Sequence, residues 1–506
     1  MKKKTLIIAF LTLGCGSLFA QTILPAILNS STTLTAAGGP YLVQTQTILP
    51  VGGILTVQPG TDIQMSDNSN FIIKGKAEFL GTVAQPIRIH AQTPTHKWGD
   101  IFIDSSMNHC TFNYVFIEDG TFIPHHINTA VVADTNLQRA TISSYYSSVE
   151  INNCTFKNNK RCIYAKYGAM SVSGCSFDST NVEEKINIAF VRGALVENSW
   201  FSRTYGAGLH DCVDFDGVHN GIIRNNIMLY GEDDGVDLGE WESKNSDTIL
   251  VSGNYIEGLH YGKGVTIGER SLHITVEKNV IVGCLQGVAV KDASNALIIN
   301  NTFYKDTIGI DVYQKVAGWG GGIAESKNNI IANSILFDVR KDVLSTLTID
   351  HSLSNTSTLA GIGNLNGDPM FESVATLNFH LLLGSPCINT GDPNSPLDPN
   401  GTIVEMGAFY FDPAVAGIIN KENTEDAAFV YPNPSNGNVH IKYFSNNSSG
   451  LINIENIGGQ IIYSKFFDSS SGTLDENIDL KAQAKGVYFL HIVTDKKITN
   501  KKIILN

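Results

Sequence analysis

"NNIMLYGEDDGVDLGEWESKNSDTILVSGNYIEGLHYGKGVTIGERSLHITVEKNVIV" (residues 225–282) states one short theme three times: a polar residue, one spacer, then a large apolar residue. Asn226 leads to Met228, Asn254 to Ile256 and Asn279 to Ile281. The theme extends both ways. Cys154, Cys175 and Ser199 precede it and Asn301 and Asn329 follow, at spacings of 21 to 28 residues, with Phe156, Phe177, Phe201, Phe303 and Ile331 in the apolar place. A fixed period in the twenties marks a solenoid, in which no repeat buries its own apolar face and each is stabilised by its neighbours. The units are short β-runs broken by Gly, Asn and Asp, without a helical period. One rung per repeat, stacked as parallel strands, predicts an all-β chain: a right-handed single-stranded parallel β-helix. Equivalent side chains then lie about 4.8 Å apart on one face.

That spacing allows distant residues to be aligned. The segments "DCVDFDG" (211–217), "DGVDLGE" (234–240), "KGVTIGE" (263–269), "QGVAVKD" (286–292) and "IGIDVYQ" (308–314) share an alternation of apolar and polar positions. Period two turns Val213, Val236, Val265, Val288 and Ile310 inward. It sets Asp214, Asp237, Thr266, Ala289 and Asp311 in one outward row and Asp216, Gly239, Gly268, Lys291 and Tyr313 in the next. Gly217, Glu240, Glu269, Asp292 and Gln314 follow at the turn, and Asp211, Asp234 and Lys263 precede the strand, with Asp233 adjoining. Two carboxylates at one rung spacing repel by about 3–4 kcal/mol at an effective dielectric near 20. The chain stacks such pairs twice, Asp211 with Asp234 and Asp214 with Asp237. A bound cation, a proton held at raised pKa, or a nearby Lys or Arg such as Lys263, Arg270 or Lys291 would relieve them. Solvated carboxylates on a hydrophilic face are the structural alternative. The oxygen-only donors Asp214, Asp237, Glu240 and Glu269 would suit Ca2+.

The 506 residues carry a formal net charge of -13, which argues against nucleic-acid partners and a basic membrane-surface role. Lys2, Lys3 and Lys4, the apolar run 5–13 and Leu18-Phe19-Ala20 before Gln21 read as an export signal over 1–20. Cys110, Cys154, Cys162, Cys175, Cys212, Cys284 and Cys387 are odd in number and irregular in spacing, so they form no disulfide framework. Cys154 and Cys175 are expected as an inward stack of thiols, a bridge being the alternative. The β-helix is expected over 21–411: an opening over 21–110, regular rungs over 110–345 and a closing segment over 346–411. The Pro/Gly/Asp turns of "GSPCINTGDPNSPLDPNGTIVEMGAFYF" (384–411) set that closing segment apart. A linker over 412–427 leads to a small β domain over 428–506. A monomer is expected.

The last domain holds Tyr431-Pro432-Asn433-Pro434 with Gly437, then Gly486-Val487-Tyr488, then a basic strand with Lys501 and Lys502. These motifs resemble the type A C-terminal sorting domain of the type IX secretion system of Bacteroidota. The resemblance implies an immunoglobulin-like sandwich, the type IX machinery as a partner, and a destination outside a Gram-negative cell or on its outer-membrane surface. The residues read the same way: alternating strands, turn signals and a Lys-rich last strand make a small sandwich.

The rung motifs "LHDCVD", "GEDDGVD", "GKGVTIG" and "GVAVK" resemble, in order and at rung spacing, those of polygalacturonase-type glycoside hydrolases, which are also right-handed β-helices. By that resemblance Asp211, Asp233 and Asp234 match catalytic carboxylates and Lys291 a substrate-binding lysine. Lys263 stands where that family has histidine, Ala289 where it has arginine, and Leu209 where it has asparagine. Lys263 also fits, by role, the lysine base of uronate polysaccharide lyases, with Arg270 or His260 as acid and Ca2+ on nearby carboxylates. The candidate catalytic residues are therefore Asp211, Asp233, Asp234 and Lys263. Lys291, Arg270, Trp241 and Tyr313 are candidates for substrate contact. The expected function is action on a uronate-type polysaccharide by hydrolysis or β-elimination. The competing reading is a non-catalytic adhesive solenoid that binds glycan or Ca2+.

Overall fold

The computed structural model describes residues 21–93, 95, 97–106, 109–121, 140–178, 184–202, 210–239, 245–374, 377–411, 428–433, 435–444, 450–456, 461–467, 473–494 and 498–505. The expected export signal over 1–20 and the expected linker over 412–427 lie outside them.

Alternating residues build three parallel sheets of 15, 12 and 13 strands, and each coil gives one strand to each sheet. One coil runs through His219–Arg224, Ile227–Leu229 and Val236–Leu238, and the next begins at Asp247–Ser252. The chain is thus a parallel β-solenoid of about 12 turns with a continuous apolar core. Phe156, Phe177, Phe201, Met228, Ile256, Ile281, Phe303 and Ile331 are all fully buried, and the first three rings stack at 5.0 and 4.8 Å.

The polar partner of that apolar place is an amide ladder. Asn226, Asn254 and Asn279 each donate from Nδ2 to Oδ1 of the ladder residue one coil on, at 2.9–3.0 Å, and Asn301 does so to Asn329 at 3.1 Å. The same oxygens accept the backbone N–H of the preceding ladder residue. Ser199 and the two thiols continue the ladder downward: the Cys154 N–H points at Cys175 Sγ at 3.4 Å, and all seven described cysteines are free and buried. The residue before each ladder position is left-handed, which only Gly and Asn adopt readily. Asn153, Gly174, Asn198, Asn225, Gly253, Asn300 and Asn328 meet that demand, and Lys278 is the exception.

The closing segment folds back along the outside of the fifteen-stranded sheet. Phe379, Leu381, Cys387, Met406 and Phe411 pack there against Val280, Tyr304, Ile330 and Leu353. Backbone bonds fasten it: Gly407 N–H donates to Asn328 O at 2.8 Å, and Asn300 Nδ2 to Glu405 O at 2.8 Å. Beyond it, antiparallel sheets of three and four strands enclose a core of Val439, Ile441, Tyr443, Ile452, Ile454, Leu490, Ile492 and Ile503, as an immunoglobulin-like sandwich does.

Candidate functional site

The wall of interest belongs to the twelve-stranded sheet. Its strands Val213–Asp216, Val236–Leu238, Lys263–Ile267, Gln286–Lys291 and Ile308–Tyr313 pair in parallel. Their register sets Asp214, Asp237, Thr266, Ala289 and Asp311 side by side, and Lys291 beside Tyr313. The row is longer than the sequence indicated: Asn187 precedes Asp214 and Arg340 follows Asp311.

Although this row faces out of the coil, it is packed. Asp214, Thr266, Ala289, Asp311 and Lys291 are all buried. Long side chains fold over the sheet: Arg340 clasps Asp311 at 2.9 and 2.5 Å, and Gln286 donates to the same carboxylate. Lys291 lies across Gly268, where a Cβ would sit 2.3 Å from Lys291 Cε, so this glycine makes room for the lysine stem. Lys291 Nζ then stands 3.6 Å from Glu269. The accessible stretch comprises the half-buried Asp233, Asp237, Lys263 and Tyr313.

At the turn before the strand three carboxylates converge. One oxygen from each of Asp211, Asp233 and Asp234 lies within 4.8 Å of the others. Backbone bonds between coils position two of them: Asp234 N–H donates to Asp211 Oδ1 at 2.9 Å, and Lys263 N–H to Asp234 Oδ1 at 2.7 Å. Asp234 also accepts from Lys263 Nζ at 3.1 Å and Thr266 Oγ1 at 2.5 Å.

The electrostatics follow from that packing. Burial, reinforced by the charges of Asp234, Asp237 and Asp233, holds the Asp211 carboxyl well above the usual range. Burial and neighbouring carboxylates do the same to Asp214. Asp237 is raised by burial in spite of Lys291. Asp233 is pushed up to about 7 by burial and the Asp234 charge. Burial alone would lower Lys263, but the charge and hydrogen bond of Asp234 prevail and raise it. Lys291 is raised in the same way, by Asp237 and Glu269 against burial. The wall thus sets carboxyls raised by burial beside lysines raised by their carboxylate neighbours.

The remaining candidates fall as follows. Arg270 is exposed, its guanidinium 5.0 Å over the Trp319 ring. Tyr313 sits in the field of Lys263 and Lys291. Glu240 and Trp241 lie outside the described residues. Of the four candidate metal ligands, Asp214 and Asp237 stack while Glu269 turns to Lys291. Asp237 Oδ1 is buried without a hydrogen-bond partner, and such an oxygen in an all-oxygen donor set fits Ca2+.

One feature is only partly legible in the sequence, where Tyr146 is a candidate stacking platform for sugar rings but Tyr167 and Phe190 are not. Tyr146, Tyr167 and Phe190 occupy the turn after the wall strand on three successive coils, all at positive φ. Their rings stack at 4.9 and 5.5 Å and remain 63%, 36% and 37% exposed. Lys166 Nζ lies 5.0 Å from the centroid of Tyr167. The same turn position carries Ser105 before the stack and Gly217 after it, and of these only the glycine adopts that backbone freely.

Residues 140–303 match the family model of the right handed beta helix region, and residues 429–506 that of the secretion system C-terminal sorting domain. No curated protein matches the chain. Among solved structures it is similar to the periplasmic alginate epimerase AlgG, at 13% identity, covering 63% of this chain and 78% of that one, TM-score 0.46. It is also similar to an alginate lyase from Paenibacillus sp. str. FPU-7, at 18% identity, covering 61% and 93%, TM-score 0.29. A third is the A-module of the Azotobacter vinelandii mannuronan C-5 epimerase AlgE6, at 12% identity, covering 67% and 83%, TM-score 0.25. The chain is a right-handed parallel β-helix protein with a sorting domain that directs it, through type IX secretion, to the cell surface or beyond.

Proposed function

We propose that this protein hydrolyses a uronate-type polysaccharide outside the cell, at the Asp211–Asp233–Asp234 cluster. The observation that carries this reading is Asp233: a half-buried carboxyl pushed up to about 7, touching a carboxylate that is itself ion-paired. Glycoside hydrolysis uses a proton donor and a second carboxylate at one bond, and this cluster supplies both kinds of group. Asp233 protonates the glycosidic oxygen as the bond to the anomeric carbon breaks. Water supplies the new hydroxyl, and its proton passes to Asp234, the member held in place by Lys263 and Thr266. Lys263 and Lys291 attract the carboxylates of an acidic sugar. The exposed aromatic stack on the preceding coils offers ring surface to further sugar units.

Hydrolysis is favoured over β-elimination because Lys263 is committed to Asp234 and raised, whereas a lysine base needs a lowered pKa. Ca2+ on Asp214 and Asp237 would add a fixed positive charge for the substrate carboxylate. Incubation with polygalacturonate, pectin and alginate, with and without chelator, tests the reading. It expects new reducing ends without the ultraviolet absorbance of an unsaturated uronate. The second reading, a binding solenoid, is favoured by the inter-coil backbone bonds that Asp211 and Asp234 accept, which give both residues a structural use. Binding across the panel without cleavage would select it.

A further inference from the structure

The sorting domain has two outer faces, and they differ in chemistry. In the three-stranded sheet Val439, Ile441 and Tyr443 enter the sandwich core, so the alternate residues His440 and Lys442 point out. That face is engaged: the His440 ring lies 5.9 Å from the ring of Trp200 on the solenoid, and Lys442 Nζ donates to Tyr230 Oη at 3.3 Å. In the four-stranded sheet Ile452, Ile454, Leu490 and Ile492 fill the core and turn their neighbours outward. The register sets Leu451 between Phe466 and Val493. Four residues along, Phe489 lies between Glu455 and Lys502. Phe466 is 67% exposed and Phe489 41%, and neither belongs to the core. Among the described residues of the domain, the exposed large apolar side chains are these two and Ile461, all on this one sheet. Lys501 and Lys502 are exposed on its edge strand.

Apolar side chains gathered on one exposed face, with charged residues at its margin, mark an interaction surface. The family match gives the domain its partner, the type IX secretion machinery, and the solenoid leaves it this face. We infer that the machinery takes hold of the chain through the outer face of the four-stranded sheet, with Phe466 and Phe489 as anchors and Lys502 beside them. The partner surface then has a definite chemistry: apolar recesses for two phenyl rings, and carboxylates that meet the lysine. Aromatic anchors carry most of the energy of such a contact, while a charge at the rim sets its encounter rate and salt dependence.

The test is export of the full chain from a Bacteroidota host with a type IX system, read as protein outside the cell against protein held in the periplasm. Phe466→Ser combined with Phe489→Ser should lower the exported fraction by about tenfold or more, the loss expected when two anchors are removed. Lys502→Glu should lower it by a smaller factor. His440→Ala and Lys442→Ala, on the engaged face, should export as wild type does. Thermal unfolding of each purified chain separates docking from folding, since surface substitutions leave the midpoint nearly unmoved. If the serine pair melts lower than wild type, Lys502→Glu carries the decision. Wild-type export of the folded serine pair, or of Lys502→Glu in that second case, overturns the inference. Loss of export in His440→Ala or Lys442→Ala alone also overturns it, because the machinery would then read the three-stranded sheet.

Discussion

Lys263 is the residue whose replacement discriminates most sharply between mechanisms. Its ammonium lies 3.1 Å from Asp234 Oδ1, at 19% side-chain exposure against 4% for Asp234. At an effective dielectric near 20 that contact is worth about 5 kcal/mol of Coulomb attraction. Removing one member of a buried pair costs about 3–5 kcal/mol, because the other charge is left without its partner. The lower end applies here, since Asp234 keeps the Lys263 backbone N–H at 2.7 Å and Thr266 at 2.5 Å. Lys263→Met should therefore destabilise the chain by about 3 kcal/mol in denaturant titration followed by circular dichroism. Lys263 also lowers Asp233, so in the Met variant the alkaline limb of the pH–rate profile moves upward. Lys263→Arg restores the charge but supplies no base, and it should recover most of the stability and a measurable part of the hydrolysis. If Lys263→Arg is well folded yet as inactive as Lys263→Met, the lysine takes a proton from the substrate and the hydrolytic reading fails.

Four further outcomes are expected. Asp234→Asn should cut reducing-end release by about 10²–10⁴-fold with the far-ultraviolet spectrum unchanged; wild-type turnover would remove Asp234 from the mechanism. Hydrolysis should decline as pH rises through about 7, where Asp233 gives up its proton, and a rate that still climbs at pH 8 contradicts Asp233 as the acid. Asn279→Ala leaves the buried Asn254 N–H without its acceptor at 2.9 Å and should cost about 1–3 kcal/mol in a chemical melt; no loss would mean that the ladder only fills space. Tyr167→Asn with Phe190→Gly puts residues suited to the turn beneath the aromatic stack. It should raise KM for long oligosaccharides at unchanged kcat, and an unaltered KM would assign the rings to packing.

The register of the wall was legible because two signals coincided. Gly235, Gly264, Gly287 and Gly309 mark where each strand begins, and alternation does the rest. The row was cut short at both ends where those markers stop: "INIA" (186–189) and "FDVRK" (337–341) have no such glycine, so Asn187 and Arg340 went unread. Which atoms meet depends on offsets between coils that spacing alone does not specify. Lys263 reaching back to Asp234, and Lys291 to Glu269, are of that kind. Burial of the outward row was likewise hidden, since it arises from long side chains of one coil lying over short ones of another. Tyr167 and Phe190, which extend the stack begun by Tyr146, escaped for the opposite reason. Turn positions with positive φ are recognised by Gly and Asn, and aromatic residues break the rule by which such turns are found.

Each amide of the interior ladder bonds only to the coil immediately beside it, and each strand of the wall pairs only with its two neighbours. Nothing in that arrangement counts turns. A duplication or loss of one whole winding would rejoin like with like, leaving the hydrogen bonding intact while lengthening or shortening the outer groove by a single step. Lineages carrying this architecture can thus alter the reach of the surface along a polymer without redesigning the spine that supports it.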